Sequence, residues 1–410
     1  MWTARDGKHV KCATLAGATM PIHPHTAPEG AINTLAAPYG NNIPLLQADG
    51  AFGTILAPTA YGATRYTTTF VTPFTKDVVF RDIEIIPLQD NYDGSIQEPK
   101  HFLPIVPIVL LNPQEGIAVG FASNILPRDL ESIINSQIEY LTEGKVKTEP
   151  LPAFVPTNQY AESWLLDEKT NTVKYTFRGT FEKTNATTVF VKELPYGVLH
   201  EKYIERLDKM IEAGKIQDTV DHSRNTVNIE VKFKKGTLNQ MDDKEIADYL
   251  GLVNTVSENF NVIDFDGERV WATEYVELVE KFTEWRLGWY YTRYERLANL
   301  LEIDIQRYRD ILLAIKKNVG GIARQIQSRA ELIEYLTEIG IVHIDYIVNL
   351  PVYRFTEEER KKVEEKLKEA LALMKEYKEL LRSKEKRTDV YIEELKEILK
   401  NYKKGAYSKE

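Results

Sequence analysis

With one cysteine among 410 residues, Cys12, the chain can form no internal disulfide, a usage that fits a reducing cytoplasm. No apolar run reaches the ~18 residues of a membrane-spanning helix. The opening Met1-Trp2-Thr3-Ala4-Arg5-Asp6 has no apolar core of the kind a signal peptide needs. Cytoplasmic localisation, with no membrane partner, is therefore expected. Positive charge is scarce: 52 Lys and Arg stand against 61 Asp and Glu, a net charge of −9. Residues 1–130 also carry more acids than bases. Nucleic-acid binding by bulk charge is thereby excluded, and a local patch or a partner's field would have to supply it. There is no Gly-x-x-x-x-Gly-Lys nucleotide loop and no Asp-x-Asp metal cluster. Cys12, His23 and His25 fit no zinc spacing. The sequence thus offers no nucleotide loop for an ATPase, and a metal-dependent nuclease, a third reading, would need clustered carboxylates that it does not show; no metal site is expected on this chain.

What is present is a globular composition, 43% hydrophobic and 28% charged, long enough for two or three domains. The informative stretch runs from Asn42 to Ile125. It contains Leu45-Leu46-Gln47-Ala48-Asp49-Gly50-Ala51-Phe52-Gly53-Thr54, then Ala63-Thr64-Arg65-Tyr66, Asp90-Asn91-Tyr92-Asp93-Gly94, and Gly116-Ile117-Ala118-Val119-Gly120-Phe121-Ala122-Ser123-Asn124-Ile125. A phenol ionises near pH ~10 and is a weak nucleophile at neutrality. It needs a neighbouring cation or metal, and charge stabilisation on whatever it attacks. Arg65 is adjacent, and its planar fork can hold two phosphate oxygens at once. Gly50, Gly53 and Gly62 let the backbone approach a ligand closely. Tyr66 is one of 22 tyrosines, and an isolated Arg-Tyr pair would read as packing. The order of the four motifs reverses that reading.

Together these motifs closely resemble the DNA-cleavage region of type IIA DNA topoisomerases, the family of the gyrase and topoisomerase IV A-type chains and the T4-like phage enzymes. The resemblance implies that Tyr66 is the nucleophile, with Arg65 beside it, and that a 5′-phosphotyrosyl link forms. It implies that Ile117 is a wedge between base pairs, which an apolar side chain achieves by unstacking a step. His25, His23, Lys11 and Asn112 are the further DNA-binding candidates. Met20-Pro21-Ile22-His23-Pro24-His25 stands where relatives carry Tyr-His-Pro-His, with Thr26 in place of their glycine. The basic segment that precedes it in relatives is expected to be supplied by another chain. No blade-like repeats of a wrapping domain follow.

The rest of the chain falls into two further regions. In residues 126–270, Leu130, Ile133, Ile134, Ile138 and Leu141 mark a helix, and 199–213 a second. Residues 172–181, 187–194 and 227–233 read as strands, and Leu103–Asn112 as a buried one. Glu193-Leu194-Pro195-Tyr196-Gly197 resembles the family's tower domain. In residues 271–405, apolar residues from Tyr294 to Val319 and from Val363 to Leu381 recur at heptad-like steps. Thr356-Glu357-Glu358-Glu359 reads as a capping box. Asp345-Tyr346-Ile347-Val348-Asn349-Leu350 resembles the segment where the coiled-coil tip dimerises.

The expected fold is α+β and multidomain: a winged-helix DNA-cleavage domain (1–125), an α/β tower (126–270), and a long antiparallel coiled coil (271–405) with a C-gate dimerisation tip at about 320–356. The expected function is DNA cleavage and rejoining within an ATP-dependent type II topoisomerase that passes one duplex through another. The expected partners are double-stranded DNA, a second copy through the C-gate, and a subunit that hydrolyses ATP and binds Mg²⁺. The competing reading is a non-catalytic coiled-coil protein that organises DNA, or a degenerate topoisomerase fragment.

Overall fold

The computed structural model describes residues 1–24, 28–167 and 172–407. The chain divides into two compact units, one of residues 1–286 with 392–410 and one of 287–391. The first and second sequence regions thus share a unit, and the end of the third joins them.

The first unit opens with β1 (Val10–Lys11), α1 (Cys12–Thr19), α2 (Pro28–Ala36), β2 (Leu46–Asp49) and β3 (Thr68–Val71). The strands form an antiparallel sheet ordered β1-β3-β2, in which Lys11 and Asp49 both lie opposite Thr68. Thr-Thr-Phe-Val in β3 alternates in burial, as β-branched and aromatic residues on a half-buried strand do. Ile32, Ala36, Leu46, Val71, Phe74 and Val78 are buried here.

Leu103–Asn112 is not a strand. Leu103, Ile105, Val106, Leu110 and Leu111 are fully buried, but the segment is extended and then turns into the short helix Ile108–Leu111. Pro104 and Pro107 lack the amide donors that a central strand requires. Periodicity detected burial and not hydrogen-bonding capacity.

Further along, helix Leu130–Glu143 starts at Asp129, whose side chain accepts from the Ser132 amide, and stops at Gly144 in the left-handed region. A four-stranded antiparallel sheet runs in the order Phe181–Lys183, Thr188–Val191, Ile229–Lys232, Asp218–Asp221. Val189, Val191, Ile229 and Val231 pack with Tyr203 and Leu207 of helix His200–Glu212 and with Ile246 and Leu250 of helix Asp243–Leu250. A second sheet joins Ser163–Asp167, Thr172–Arg178 and Val253–Glu258. A complete capping box forms at Asp242 with Glu245. At Thr356 only half of one forms: Thr356 accepts from the Glu359 amide, while Glu359 turns to Arg354 and Lys362.

Two arginines are fully buried in this unit. Arg128 binds Glu258 and, at 3.0 Å, Glu149. Arg286 binds Asp82. The terminal helix Lys384–Lys403 returns to the unit, where Leu395 and Ile398 are buried. Its Glu394 and Glu397 meet Arg81 at 3.5 and 3.0 Å. The Tyr407 hydroxyl donates to Asp77 at 3.0 Å, and its ring meets Phe74 edge-on.

In the second unit, the continuation of helix Tyr275–Lys316 packs on helix Glu357–Arg382. Tyr294 meets Tyr377, Ala298 and Ile305 cluster with Ala370 and Met374, and Ile311 and Ala314 cluster with Val363. Numbers rise on one helix as they fall on the other, so the pair is antiparallel. Asp310, 1% exposed, accepts from the amides of Val342 and His343 and lies 3.0 Å from His343 Nδ1. Among the described residues no helix is long and apolar enough to cross a membrane.

Candidate functional site

Tyr66 ends a turn, Ala63–Tyr66, that feeds directly into β3; its amide donates to Ala63 O at 2.8 Å. The side chain is 69% exposed, and the Arg65 guanidinium carbon lies 4.9 Å from its ring centroid. The backbone around it is held from several sides. Cys12 and Ala13, at the start of α1, donate their amides to Thr67 O and Thr64 O at 3.1 and 3.2 Å. Lys11 donates Nζ to Tyr66 O at 3.2 Å. Thr64 Oγ1 donates to Glu29 on α2 at 3.1 Å. These bonds occupy the first amides of α1, which a helix cannot satisfy internally.

The glycine loop supports the turn from the other side. Gly62 donates to Ala51 O at 2.8 Å, and Phe52 bridges to Tyr61. Gly53 has φ +83°, and a Cβ there would sit 2.5 Å from Pro58 O and 2.6 Å from the Tyr39 hydroxyl. Only glycine fits, for reasons of both space and backbone. Tyr39 closes the loop by reaching Phe52 O and Pro58 O at 2.6 and 2.7 Å. Sequence reasoning misses Glu29 and Tyr39 because neither belongs to a motif and both act through the fold.

Ile117 lies on a hairpin of strands Gln114–Ala118 and Phe121–Ile125, opposite Ala122. It is 87% exposed, and Val119 at the turn is fully so. Gly120 has φ +82° and permits the tight turn. The base of the hairpin is fastened to residues 257–261. Asn124 and Asn259 exchange both backbone bonds, at 3.0 and 2.9 Å. The side-chain amides of Asn259 and Asn261 reach Ala122 O at 2.6 and 2.7 Å. Glu258, the partner of Arg128, also accepts from Leu126 N at 2.8 Å.

The remaining candidates divide. Lys11 is exposed beside Tyr66, and His23 is exposed just after α1. Asn112 is buried at 3% exposure, with its amide and carbonyl both used by the backbone of Ile43, at 2.9 and 3.1 Å. In this chain Asn112 joins two framework segments. His25 lies outside the described residues. Cys12 is fully buried, and burial pushes its thiol up, which leaves it inert.

An exposed Arg-Tyr turn, a glycine loop behind it and a projecting Gly-Ile hairpin occur here in one chain, and its residues 1–396 match the family model of the A subunit of DNA gyrase/topoisomerase IV. The chain belongs to that family. It is 29% identical to the DNA topoisomerase medium subunit of Enterobacteria phage T4, over 88% of this chain and 81% of the relative. It is 25% identical to the A subunit of DNA gyrase from Brachyspira hyodysenteriae, over 97% of this chain and 50% of the relative. To the A subunit of DNA topoisomerase 4 from Pseudomonas aeruginosa it is 24% identical, over 95% and 54%. The chain thus spans about half the length of these gyrase and topoisomerase 4 relatives.

Proposed function

We propose that this chain is the DNA-cleavage and rejoining subunit of an ATP-dependent type II DNA topoisomerase. The observation that carries the reading is the exposure of Tyr66 on a turn whose backbone is fixed, with Arg65 over its ring. The Tyr66 phenol oxygen attacks a DNA phosphorus. A new P–O bond forms as the phenol gives up its proton, the bond to the 3′ oxygen breaks and that oxygen takes up a proton to leave as a 3′ hydroxyl, and the 5′ end stays on the tyrosine. Arg65 holds non-bridging phosphate oxygens in its fork, and Lys11, tethered to Tyr66 O, adds a second cation. Two copies acting on opposite strands make a staggered break, and reversal of the same step reseals it. His23 and His25 belong with the phosphate contacts, and Ile117 is the wedge. The turn and the hairpin are then parts of one DNA-handling surface.

In this reading residues 1–125 form the cleavage domain with winged-helix character, 126–270 the tower and 271–405 the coiled coil. A homodimer forms at its tip, where Val342, Val352 and Tyr353 are 64%, 73% and 58% exposed. Among the described residues, no three His, Cys, Asp or Glu side chains meet as ion ligands. The Mg²⁺ donors are assigned to a partner subunit, which also hydrolyses ATP, and no step is routed here through the ion. The test is covalent trapping: the chain, that partner, Mg²⁺ and supercoiled plasmid are mixed and quenched with detergent. DNA linked to protein at its 5′ ends, and lost in Tyr66→Phe, supports the reading. Absence of any adduct favours a DNA-organising protein without cleavage.

A further inference from the structure

We infer that Asn259 and Asn261 are positioning residues for the Ile117 wedge, an inference that rests on the reading above. An isolated two-stranded hairpin is marginal in water, yet Ile117 stands 87% exposed on one. A wedge that wanders would lose its binding energy to ordering, so its strand has to be fixed from elsewhere. Besides the backbone pair of Asn124 and Asn259 at its base, the hairpin is held at one atom on the rung of the wedge. Ala122 O receives the side-chain amides of Asn259 at 2.6 Å and Asn261 at 2.7 Å, which uses both lone pairs of the carbonyl. Ala122 is the residue directly across the ladder from Ile117. Its carbonyl therefore sets the orientation of the rung that carries the wedge.

The donors are themselves held. Asn261 Nδ2 also donates to Asn259 Oδ1 at 3.1 Å, which turns the Asn259 amide nitrogen toward Ala122. One rung below, Ser123 Oγ donates to Asn259 O at 3.2 Å, and two rungs below, Asn124 Nδ2 donates to Ser257 O at 2.7 Å. The fastening reaches Ala122 and ends there, leaving Ile117, Val119 and Phe121 as the exposed apolar end. Asn259 and Asn261 lie 137 and 139 positions from Ala122, so the direction of the wedge is set by a part of the chain that holds none of the cleavage motifs.

The test uses the enzyme assembled with its ATPase and metal-binding partner, and a short duplex carrying a donor and an acceptor dye at its ends. Energy transfer reports bending, and detergent quenching reports the Tyr66 adduct. The paired change Asn259→Ala with Asn261→Ala should lower the adduct by roughly ten- to a hundredfold, the scale for a misplaced positioning group, and reduce the bending signal with it. It should add no further loss on an Ile117→Ala background. A duplex already kinked by a mismatch at the wedge step should restore the adduct. The near-isosteric Asn261→Asp, which cannot donate to Ala122 O, should give a smaller loss of the same kind. Wild-type bending in the paired variant, with bending lost in Ile117→Ala, overturns the inference and leaves the proposed function standing. Loss that the kinked duplex does not restore also overturns it, as general damage. Unchanged bending in Ile117→Ala removes the wedge from the proposed function and this inference with it.

Discussion

The Tyr66 turn and the Ile117 hairpin are both exposed, and they are held by opposite means. The turn is fastened by neighbours in sequence: Lys11, Cys12, Ala13, Glu29 and Ala51 all lie within 55 positions of the groups they bind. Most of those bonds engage backbone, so the turn keeps its shape whatever side chain stands at 66. The hairpin is fastened from more than 130 positions away, by a backbone pair between Asn124 and Asn259 and by the side chains of Asn259, Asn261 and Glu258. The proposed nucleophile needs a fixed origin, and the backbone bonds of the turn supply one. On the proposed reading the hairpin carries a wedge that has to keep its direction, and the contacts from residues 257–261 tie its strand to the rest of the unit.

The comparison breaks most completely at the proposed nucleophile. Tyr66→Phe should abolish the covalent adduct while DNA binding and the melting temperature stay at wild-type values, because the ring packs in no core. A melting temperature that fell with activity would refute the claim that the turn is held by its backbone.

The next largest effect belongs to the hairpin's distant support. Arg128→Met leaves Glu258 buried without its cation, a change that costs about 3–5 kcal/mol in such pairs. Chemical denaturation should read this. The adduct yield should fall in the same variant, since Glu258 also holds Leu126 at the foot of the hairpin. Replacing both partners with apolar residues should recover much of the stability and less of the bending.

On the local side, Gly53→Ala puts a methyl group against Pro58 O and the Tyr39 hydroxyl at positive φ. A loss of about 1–3 kcal/mol is expected. Removing the hydroxyl with Tyr39→Phe in the Gly53→Ala background should relieve part of it, measured by the same denaturation. No relief would locate the strain in the backbone alone.

The smallest effect sharpens the comparison, because it tests a distant support of the cleavage region. Tyr407→Phe removes a hydrogen bond to Asp77 and should cost about 1 kcal/mol at neutral pH. Burial first, and then the Asp77 carboxylate, push the Tyr407 hydroxyl up to about 12. Its folded value lies above the ~10 of a free phenol. Its contribution is therefore complete below pH ~10 and is lost as the pH rises toward 12. Melting curves between these limits should fall less steeply for Tyr407→Phe than for wild type.

Much of this was legible in the residues. Helix Leu130–Glu143 follows from its apolar spacing and Asp129, and helix His200–Glu212 from its own pattern. The strands near 172–178, 188–191 and 229–232 follow from alternation, with ends trimmed by one to three residues. Arg65-Tyr66 and Gly116-Ile117 are informative only together with the other motifs, because their order along the chain, and neither pair alone, carries the resemblance. Leu103–Asn112 misled because periodicity counts apolar residues and ignores the amides that Pro104 and Pro107 lack. The pairing of Asn112 with the backbone of Ile43, 69 positions away, is recorded by no local pattern.

The sequence by itself determined the chemistry on offer at Arg65, Tyr66 and Ile117, the local helices and strands, and the glycine loop around Gly53. Those are short-range matters of sterics, pKa and periodicity. Tertiary structure alone decided that the last helix returns to the first unit, that Arg128 and Arg286 are buried beside Glu258 and Asp82, and that Asn259 and Asn261 grip Ala122. Each of these joins groups more than 100 positions apart, where no local pattern records the partner and only the packed chain brings donor to acceptor.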